Sequence, residues 1–96
     1  MIIFKIFKVK GDSMYPVIKD KDKVFVSSLP YLFKTPKIGD IIVANHPHKN
    51  IKIIKRITKI NDNEYFIEGD NILSSDSKEF NTINRKLILA KLIFEF

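Results

Sequence analysis

Residues 51–59 read Ile-Lys-Ile-Ile-Lys-Arg-Ile-Thr-Lys, a stretch in which isoleucines nearly alternate with polar residues. A period of two with β-branched side chains is typical of a β-strand that has one buried and one exposed face. On this pattern Lys55 shares a face with Ile53 and Ile57, and we expect that face to be the buried one. The middle of the chain is therefore predicted to be a long strand that carries a lysine inward.

Similar runs of apolar and β-branched residues lie on both sides of this strand, separated by turn residues. The runs are Ile2–Lys10, Lys23–Ser28, Ile38–Asn45, Ile51–Ile60, Glu64–Glu68 and Lys86–Phe96. Residues 30–36 begin and end with proline and are predicted to be an irregular connection, and no segment has a sustained helical period. These features predict a mainly β fold, a compact antiparallel β-sandwich or partly open barrel.

Size and composition limit what the chain can be. Its 96 residues, of which 45% are hydrophobic, predict a single domain (residues 1–96) with a modest core. The absence of cysteine excludes disulfides, thiol catalysis and thiolate metal ligands. The formal net charge is +6, but the lysines are spread along the whole chain. We therefore interpret them as a solvated surface and predict no nucleic-acid partner.

The first ten residues are apolar but are interrupted by Lys5, Lys8 and Lys10. A membrane-spanning helix needs ~20 consecutive apolar residues, and a signal peptide needs an unbroken apolar core of ~7–15. The sequence therefore predicts no integral membrane segment and no export signal, and we expect a cytoplasmic protein. The oligomeric state stays open, because a terminal strand such as Leu87–Phe96 can pair within the domain or across a dimer.

A candidate nucleophile follows the first predicted strand, in the segment Gly11-Asp12-Ser13-Met14-Tyr15-Pro16. Glycine permits unusual backbone angles and proline ends a strand, so we expect Ser13 to lie on a bend. A serine on such a bend can direct its hydroxyl and its own amide N–H into a cleft, as acyl transfer requires. Turns of this composition are common, and taken alone the segment also fits a simple turn.

Lys55 is the candidate general base. Burial disfavours the charged form of a lysine, and an uncharged amine can accept the proton of a serine hydroxyl. Two alternatives remain open: Lys55 can extend along the apolar surface to reach water, or a one-residue slip in register can bury Lys52 and Arg56 instead. His46 and His48 flank a proline and are predicted to form a surface turn, and no metal site or cofactor is predicted.

Four segments of the chain, in order, resemble motifs of the signal peptidase I family. Gly11–Pro16 resembles its Ser-Met-x-Pro box, Gly39–Val43 its Gly-Asp-hydrophobic strand, and Ile54–Ile57 the box of its catalytic lysine. Gly69–Lys78 resembles its Gly-Asp-Asn…Ser-x-Asp-Ser-Arg box. The resemblance implies a serine endopeptidase that uses a Ser-Lys dyad and has the β fold of the signal peptidase and LexA peptidases.

The same resemblance implies a role for each matching residue. Ser13 would attack the scissile carbonyl, Lys55 would accept its proton, and Ser74 would hydrogen-bond the lysine amine and orient it. The oxyanion hole would use the N–H of Ser13. In some family members the second donor is a serine hydroxyl at the position that Gly11 occupies here. Because glycine has no hydroxyl, a backbone N–H near Gly11 would have to take its place.

Asp76 and Lys78 match an Asp–Arg pair of the family and would brace the last segment. Lys78 lacks the planar fork with which arginine binds a carboxylate through two hydrogen bonds. The chain also departs from the family pattern at Val17, where threonine is usual, and at Asn81, where glycine is usual. The last segment is one residue shorter before Ser74, which makes that assignment the least direct.

Within the family, the chain looks most like the small soluble proteases that mature nickel-type superoxide dismutase, because Ala44–Pro47 resembles their His-Pro segment. This likeness implies removal of an N-terminal leader from the nickel superoxide dismutase precursor, with the nickel belonging to the substrate. Three alternatives remain: a secretory signal peptidase I, a LexA-type self-cleaving peptidase domain, and a non-catalytic basic β-barrel that binds nucleic acid. The last would need aromatic and basic residues interleaved on one exposed sheet face.

Overall fold

The computed structural model of the chain describes residues 3–71 and 81–96. Its strands are β1 (Phe4–Lys8), β2 (Lys23–Ser27), β3 (Ile41–Asn45), β4 (Lys52–Asn61), β5 (Glu64–Glu68), β6 (Thr82–Asn84) and β7 (Ile88–Glu95). Within the described ranges they form one antiparallel sheet of seven strands, in the order β1-β2-β7-β3-β4-β5-β6. The predicted mainly β, antiparallel fold is confirmed, and the sheet stays open, with β1 and β6 at its two ends.

The structure differs from the prediction at several short places. Residues Arg85–Leu87 form a 3-10 helix, so that the last strand begins at Ile88 and not at Lys86. Residues Pro30–Phe33 form a helix, α1, in which proline occupies the first turn, where its missing N–H is not needed. Strand β6 has three residues, too few for a period of two to be recognised. Strand β3 begins at Ile41 and not at Ile38, because residues 37–40 form a turn in which Asp40 Oδ2 accepts the N–H of Lys37 at 3.1 Å.

No helix within residues 3–71 and 81–96 combines the length and apolar character needed to cross a membrane.

Strand β3 lies at the centre of the core. Residues Ile41–Ala44 are all buried, and their side chains alternate between two apolar clusters. One cluster contains Val9, Met14, Ile18, Val24, Val26, Ile41, Val43 and Ala90. The other contains Ile42, Ala44, Ile57, Tyr65, Ile67, Ile83 and Ile88. Because burial of one large aliphatic side chain contributes about 1.5–3 kcal/mol, packing on both faces of β3 stabilises the sheet.

Strand β4 changes partners along its length. Its first half, residues 52–56, pairs with β3. Its second half, residues 56–61, pairs with β5, and the register of this pairing shifts between Ile57 and Lys59. Among the described strands, none pairs with the second edge of residues 52–55, and β1 pairs with β2 alone. The fold therefore leaves two strand edges without a partner strand in the part of the chain that the structure describes.

Candidate active site

Ser13 and Lys55 line the same cleft, which has a volume of about 560 Å³. One side of the cleft is lined by residues 7–10, which are the end of β1 and the residues after it, together with Ser13 and Met14. The other group of lining residues comprises Val43 and His46 from β3 and its end, Lys49 in the following loop, and residues 51–55. The structure thus brings the predicted nucleophile and the predicted base, which are far apart in sequence, to one surface.

The side chain arrangement of β4 agrees with the alternation in its sequence. Lys55 is only 4% exposed, whereas its neighbour Lys52 on the other face is exposed. Its cross-strand neighbour in β3 is the fully buried Ile42. Of the registers considered from the sequence, the one that buries Lys55 is therefore the one found. A buried amine in a cleft with a serine can exchange a proton with that serine, if the two atoms meet.

A compact loop presents Ser13. The N–H of Tyr15 donates to the carbonyl of Asp12 and the N–H of Ile18 to the carbonyl of Met14, both at 3.0 Å. The side chains of Met14 and Ile18 are buried in the apolar core and hold the loop to it. Ser13 itself is half-buried between these anchors.

Gly11 opens this loop with a φ of 89°, a left-handed conformation that glycine adopts readily. Its N–H donates to Asp20 Oδ1 at 2.8 Å. An oxyanion next to Ser13 would therefore compete with Asp20 for the Gly11 N–H that was expected to help form the oxyanion hole. The role of Gly11 in that hole stays a prediction.

The segment Gly69-Asp70-Asn71 holds the backbone of the serine loop. The N–H of Asn71 donates to the carbonyl oxygen of Ser13 at 2.9 Å, and Asn71 Nδ2 donates to the carbonyl of Asp12 at 2.9 Å. The N–H of Asp70 lies 3.4 Å from the sulfur of Met14. In the sequence this segment is recognisable only as part of a motif, without a role of its own. The Gly-Asp pair that recurs at residues 11–12, 39–40 and 69–70 was the available signal, but no local pattern shows which loop residues 69–71 contact.

Arg56 connects that segment to β4. Its Nε and Nη2 donate to the two carboxylate oxygens of Asp70 at 2.8 and 2.7 Å, and its Nη1 donates to the carbonyl of Gly39 at 2.9 Å. The hydrogen bonds that Arg56 donates to Asp70 raise the pKa of Arg56 above its ordinary value. Because Arg56 directly follows Lys55, this paired fork fixes the strand of the candidate base relative to the loop of the candidate nucleophile.

The prediction that both histidines lie on a surface turn is wrong for His46. His48 is exposed, but His46 is buried and lines the cleft. Its Nδ1 accepts the N–H of His48 at 2.9 Å and the N–H of Lys49 at 3.0 Å. An imidazole nitrogen that accepts carries no proton, so in the neutral ring the proton is on Nε2. His46 thus shapes the loop that forms one end of the cleft.

Three residues with predicted roles, Ser74, Asp76 and Lys78, lie outside the described residues. Their assignment as the group that orients the lysine amine and the pair that braces the segment stays a prediction.

The comparisons with known proteins agree with one another. Residues 1–60 match the profile of a family described as signal peptidase, peptidase S26. Over 88 residues the chain is 28% identical to signal peptidase I T of Bacillus subtilis (strain 168), covering 80% of this chain and 46% of that protein. Over 96 residues it is 27% identical to signal peptidase I of Bacillus licheniformis, covering 88% and 52%. The chain spans about half the length of these relatives.

Proposed function

The chain belongs to the signal peptidase S26 family, and on that premise we propose that it is a serine endopeptidase with Ser13 as nucleophile and Lys55 as general base. The observation that supports this proposal is the cleft that Ser13 shares with the buried Lys55. Its reaction would be the removal of an N-terminal leader from a protein substrate.

In the proposed mechanism, Ser13 Oγ attacks the scissile carbonyl carbon while the amine of Lys55 takes the hydroxyl proton. The N–H of Ser13 stabilises the oxyanion of the tetrahedral intermediate. The C–N bond then breaks, and the ammonium of Lys55 gives its proton to the leaving amine. Water, deprotonated by Lys55, hydrolyses the acyl-enzyme and restores both side chains.

The contacts around the cleft support this assignment. Gly69 and Asn71 fix the main chain of Ser13, and the Arg56–Asp70 pair fixes β4 next to Lys55. Such positioning matters because a displacement of about 1 Å can reduce a rate ~10²-fold. Ser74, from the resemblance to the family, is proposed to orient the amine.

The two strand edges favour a substrate in extended conformation. Residues 7–10 follow one edge of the sheet, and residues 52–55 present another edge that no described strand pairs with. Both groups line the cleft. An extended peptide between them can satisfy its main-chain N–H and C=O groups without a deep pocket. Substrate recognition would then rest on main-chain pairing, with side-chain pockets adding selectivity.

For the substrate we propose the leader of a nickel superoxide dismutase precursor, processed in the cytoplasm. The support is the resemblance of Ala44–Pro47 to the His-Pro segment of those maturation proteases, and the structure adds that His46 lines the cleft. The alternative is an exported precursor with a signal peptide, which is favoured by the names of the two Bacillus relatives.

One experiment tests both levels of the proposal. The purified chain is incubated with each of the two precursors, and the new N-terminus is determined by mass spectrometry. We expect cleavage by the wild type and none by Ser13→Ala or Lys55→Met, which keep nearly the same shape. Lys59→Met, an exposed lysine on the same strand, is the matched control and should cleave normally. Equal cleavage by Ser13→Ala would exclude the dyad, and cleavage of the exported precursor alone would replace the substrate.

A further inference from the structure

The described lining of the cleft is strongly basic. It contains five lysines and a histidine but no aspartate or glutamate: Lys8, Lys10, His46, Lys49, Lys52 and Lys55. The lysines of the whole chain looked dispersed in the sequence, yet the fold gathers these five at one surface. Lys8, Lys10 and Lys52 are exposed at this surface, where like charges repel one another and a bound anion relieves that repulsion.

Three of these lysines are placed to contact a substrate. Lys8 and Lys10 flank the buried Val9, so extended backbone directs both side chains to the exposed side. Lys52 is exposed on the opposite group of lining residues. Within the described residues, no carboxylate forms an ion pair with any of the three.

The acidic residue next to the nucleophile does not neutralise this charge. Asp12 is absent from the described cleft lining, and its Oδ1 accepts the N–H of Asp20 at 3.4 Å. Asp12 therefore does not offset the charges of Lys8, Lys10 and Lys52 in the described part of the cleft.

We infer that the cleft selects peptide substrates with acidic side chains close to the scissile bond. This inference rests on the proposed function and adds a charge preference to it. Because side chains of an extended peptide alternate, two carboxylates separated by one residue lie on the same side. That spacing matches Lys8 and Lys10, which are themselves two residues apart on β1 and its continuation.

A peptide fits this surface better than a nucleic acid does. Single-stranded nucleic acids are bound by several aromatic side chains on which bases stack, and Phe7 is the one aromatic ring besides His46 in the described lining. Apolar side chains such as Met14 and Ile54 also line the cleft, next to strand edges that have no partner among the described strands. Strand edges pair with peptide main chains and not with phosphates.

The test measures binding and cleavage separately. Four matched peptides share one leader sequence and differ only at two positions, separated by one residue, beside the scissile bond: Glu, Gln, Lys or Ala. Binding to the Ser13→Ala protein is measured by fluorescence anisotropy, and kcat/KM is measured with the wild type. We expect the Glu peptide to bind about tenfold more tightly than the Gln peptide, from two or three partly exposed charge pairs. The preference should nearly vanish at about 1 M salt.

Charge reversal provides the matched controls. Lys10→Glu and Lys52→Glu should each reduce or invert the preference for the Glu peptide. Lys86→Glu makes the same charge change at an exposed residue outside the described cleft lining and should leave the preference unchanged. Circular dichroism verifies that each variant is folded.

The outcomes separate the two proposals. Tighter binding of the Glu peptide without cleavage supports the charge preference and contradicts the peptidase. Equal binding and equal cleavage of the Glu and Gln peptides overturns the charge preference and leaves the peptidase standing. An equal effect of Lys86→Glu also overturns it, as does tight binding of a single-stranded oligonucleotide with no preference among the peptides.

Discussion

Gly69 lies against the main chain of Ser13. A Cβ atom added at position 69 would collide with the carbonyl oxygen of Ser13 and would come within 3.4 Å of the Ser13 Cβ. The N–H of Asn71 donates to the same carbonyl oxygen. The position of the candidate nucleophile is therefore set by a segment distant in sequence, through one close approach and one hydrogen bond.

Gly69→Ala should disturb catalysis more than folding. The backbone of Gly69 is not in the left-handed region, so alanine adds a steric clash with the Ser13 loop and no backbone strain. We expect kcat/KM to fall about 10²-fold and the free energy of unfolding to fall by about 1–3 kcal/mol.

Asp62→Ala, in the β4–β5 turn with a φ of 54°, is a control that destabilises by about 1–2 kcal/mol away from the site. Kinetics and urea denaturation of both variants distinguish the two effects, and an unchanged rate in Gly69→Ala would contradict the positioning role.

Replacing Arg56 by lysine should loosen the site although the charge is kept. Lysine cannot reproduce two parallel hydrogen bonds to Asp70 together with one to the carbonyl of Gly39. We expect about tenfold lower kcat/KM and a stability loss of about 1 kcal/mol, since the pair is partly exposed. Asp70→Asn should behave similarly, and the double variant should be little worse than either single one. Strictly additive effects in this double-mutant cycle would show that the two side chains act independently.

Tyr31 should make the free energy of unfolding decrease at high pH. Burial, together with the hydrogen bond from its hydroxyl to Asp40 Oδ2 at 2.7 Å, raises the pKa of Tyr31 above its ordinary value of 10.0. The folded state thus holds the phenol proton more tightly than the unfolded chain does. This contribution is complete below the ordinary value and is lost as the pH rises above it.

Urea denaturation at about pH 9 and about pH 11 should therefore show a larger loss of stability in the wild type than in Tyr31→Phe. At the lower pH, Tyr31→Phe should be less stable by about 1–2 kcal/mol because the hydrogen bond is missing. Equal losses in the two proteins would mean that the hydroxyl ionises as freely in the folded state as in the unfolded one.

His46 should be replaceable by asparagine but not by alanine. Its Nδ1 accepts two backbone N–H groups, and alanine would leave both without that acceptor, at a cost of about 1–3 kcal/mol. The Oδ1 of asparagine reaches a similar position and should retain much of that stability. Thermal or urea unfolding of His46→Ala and His46→Asn measures the difference. If the two variants are equally destabilised, the stability comes from packing of the ring and not from the accepted hydrogen bonds.

The local sequence pattern was enough to predict strand β4 and the bend that carries Ser13. The pattern of residues 51–59 indicated β4 and the inward face of Lys55, because a period of two links neighbouring residues directly. The bend carrying Ser13 was likewise indicated by glycine and proline within a few positions.

The contacts that hold the main chain of Ser13 could not be predicted in the same way. Its contacts with Gly69 and Asn71 depend on the order of the strands, and in that order β7, the last strand, lies between β2 and β3. No local period specifies such a neighbour. The burial of His46 was missed for a related reason: Pro47 indicates a turn, but only the tertiary structure decides that the turn folds over its own imidazole.

The lysines on the two strand edges that no described strand pairs with also affect how copies of this protein behave toward each other. An edge without a partner strand is a template on which a second molecule can add a strand and begin to aggregate. Here a second copy would bring Lys8, Lys10 and Lys52 against identical charges, and the repulsion disfavours that pairing. The charge that attracts a carboxylate-bearing peptide therefore also disfavours growth of the sheet from one molecule into the next.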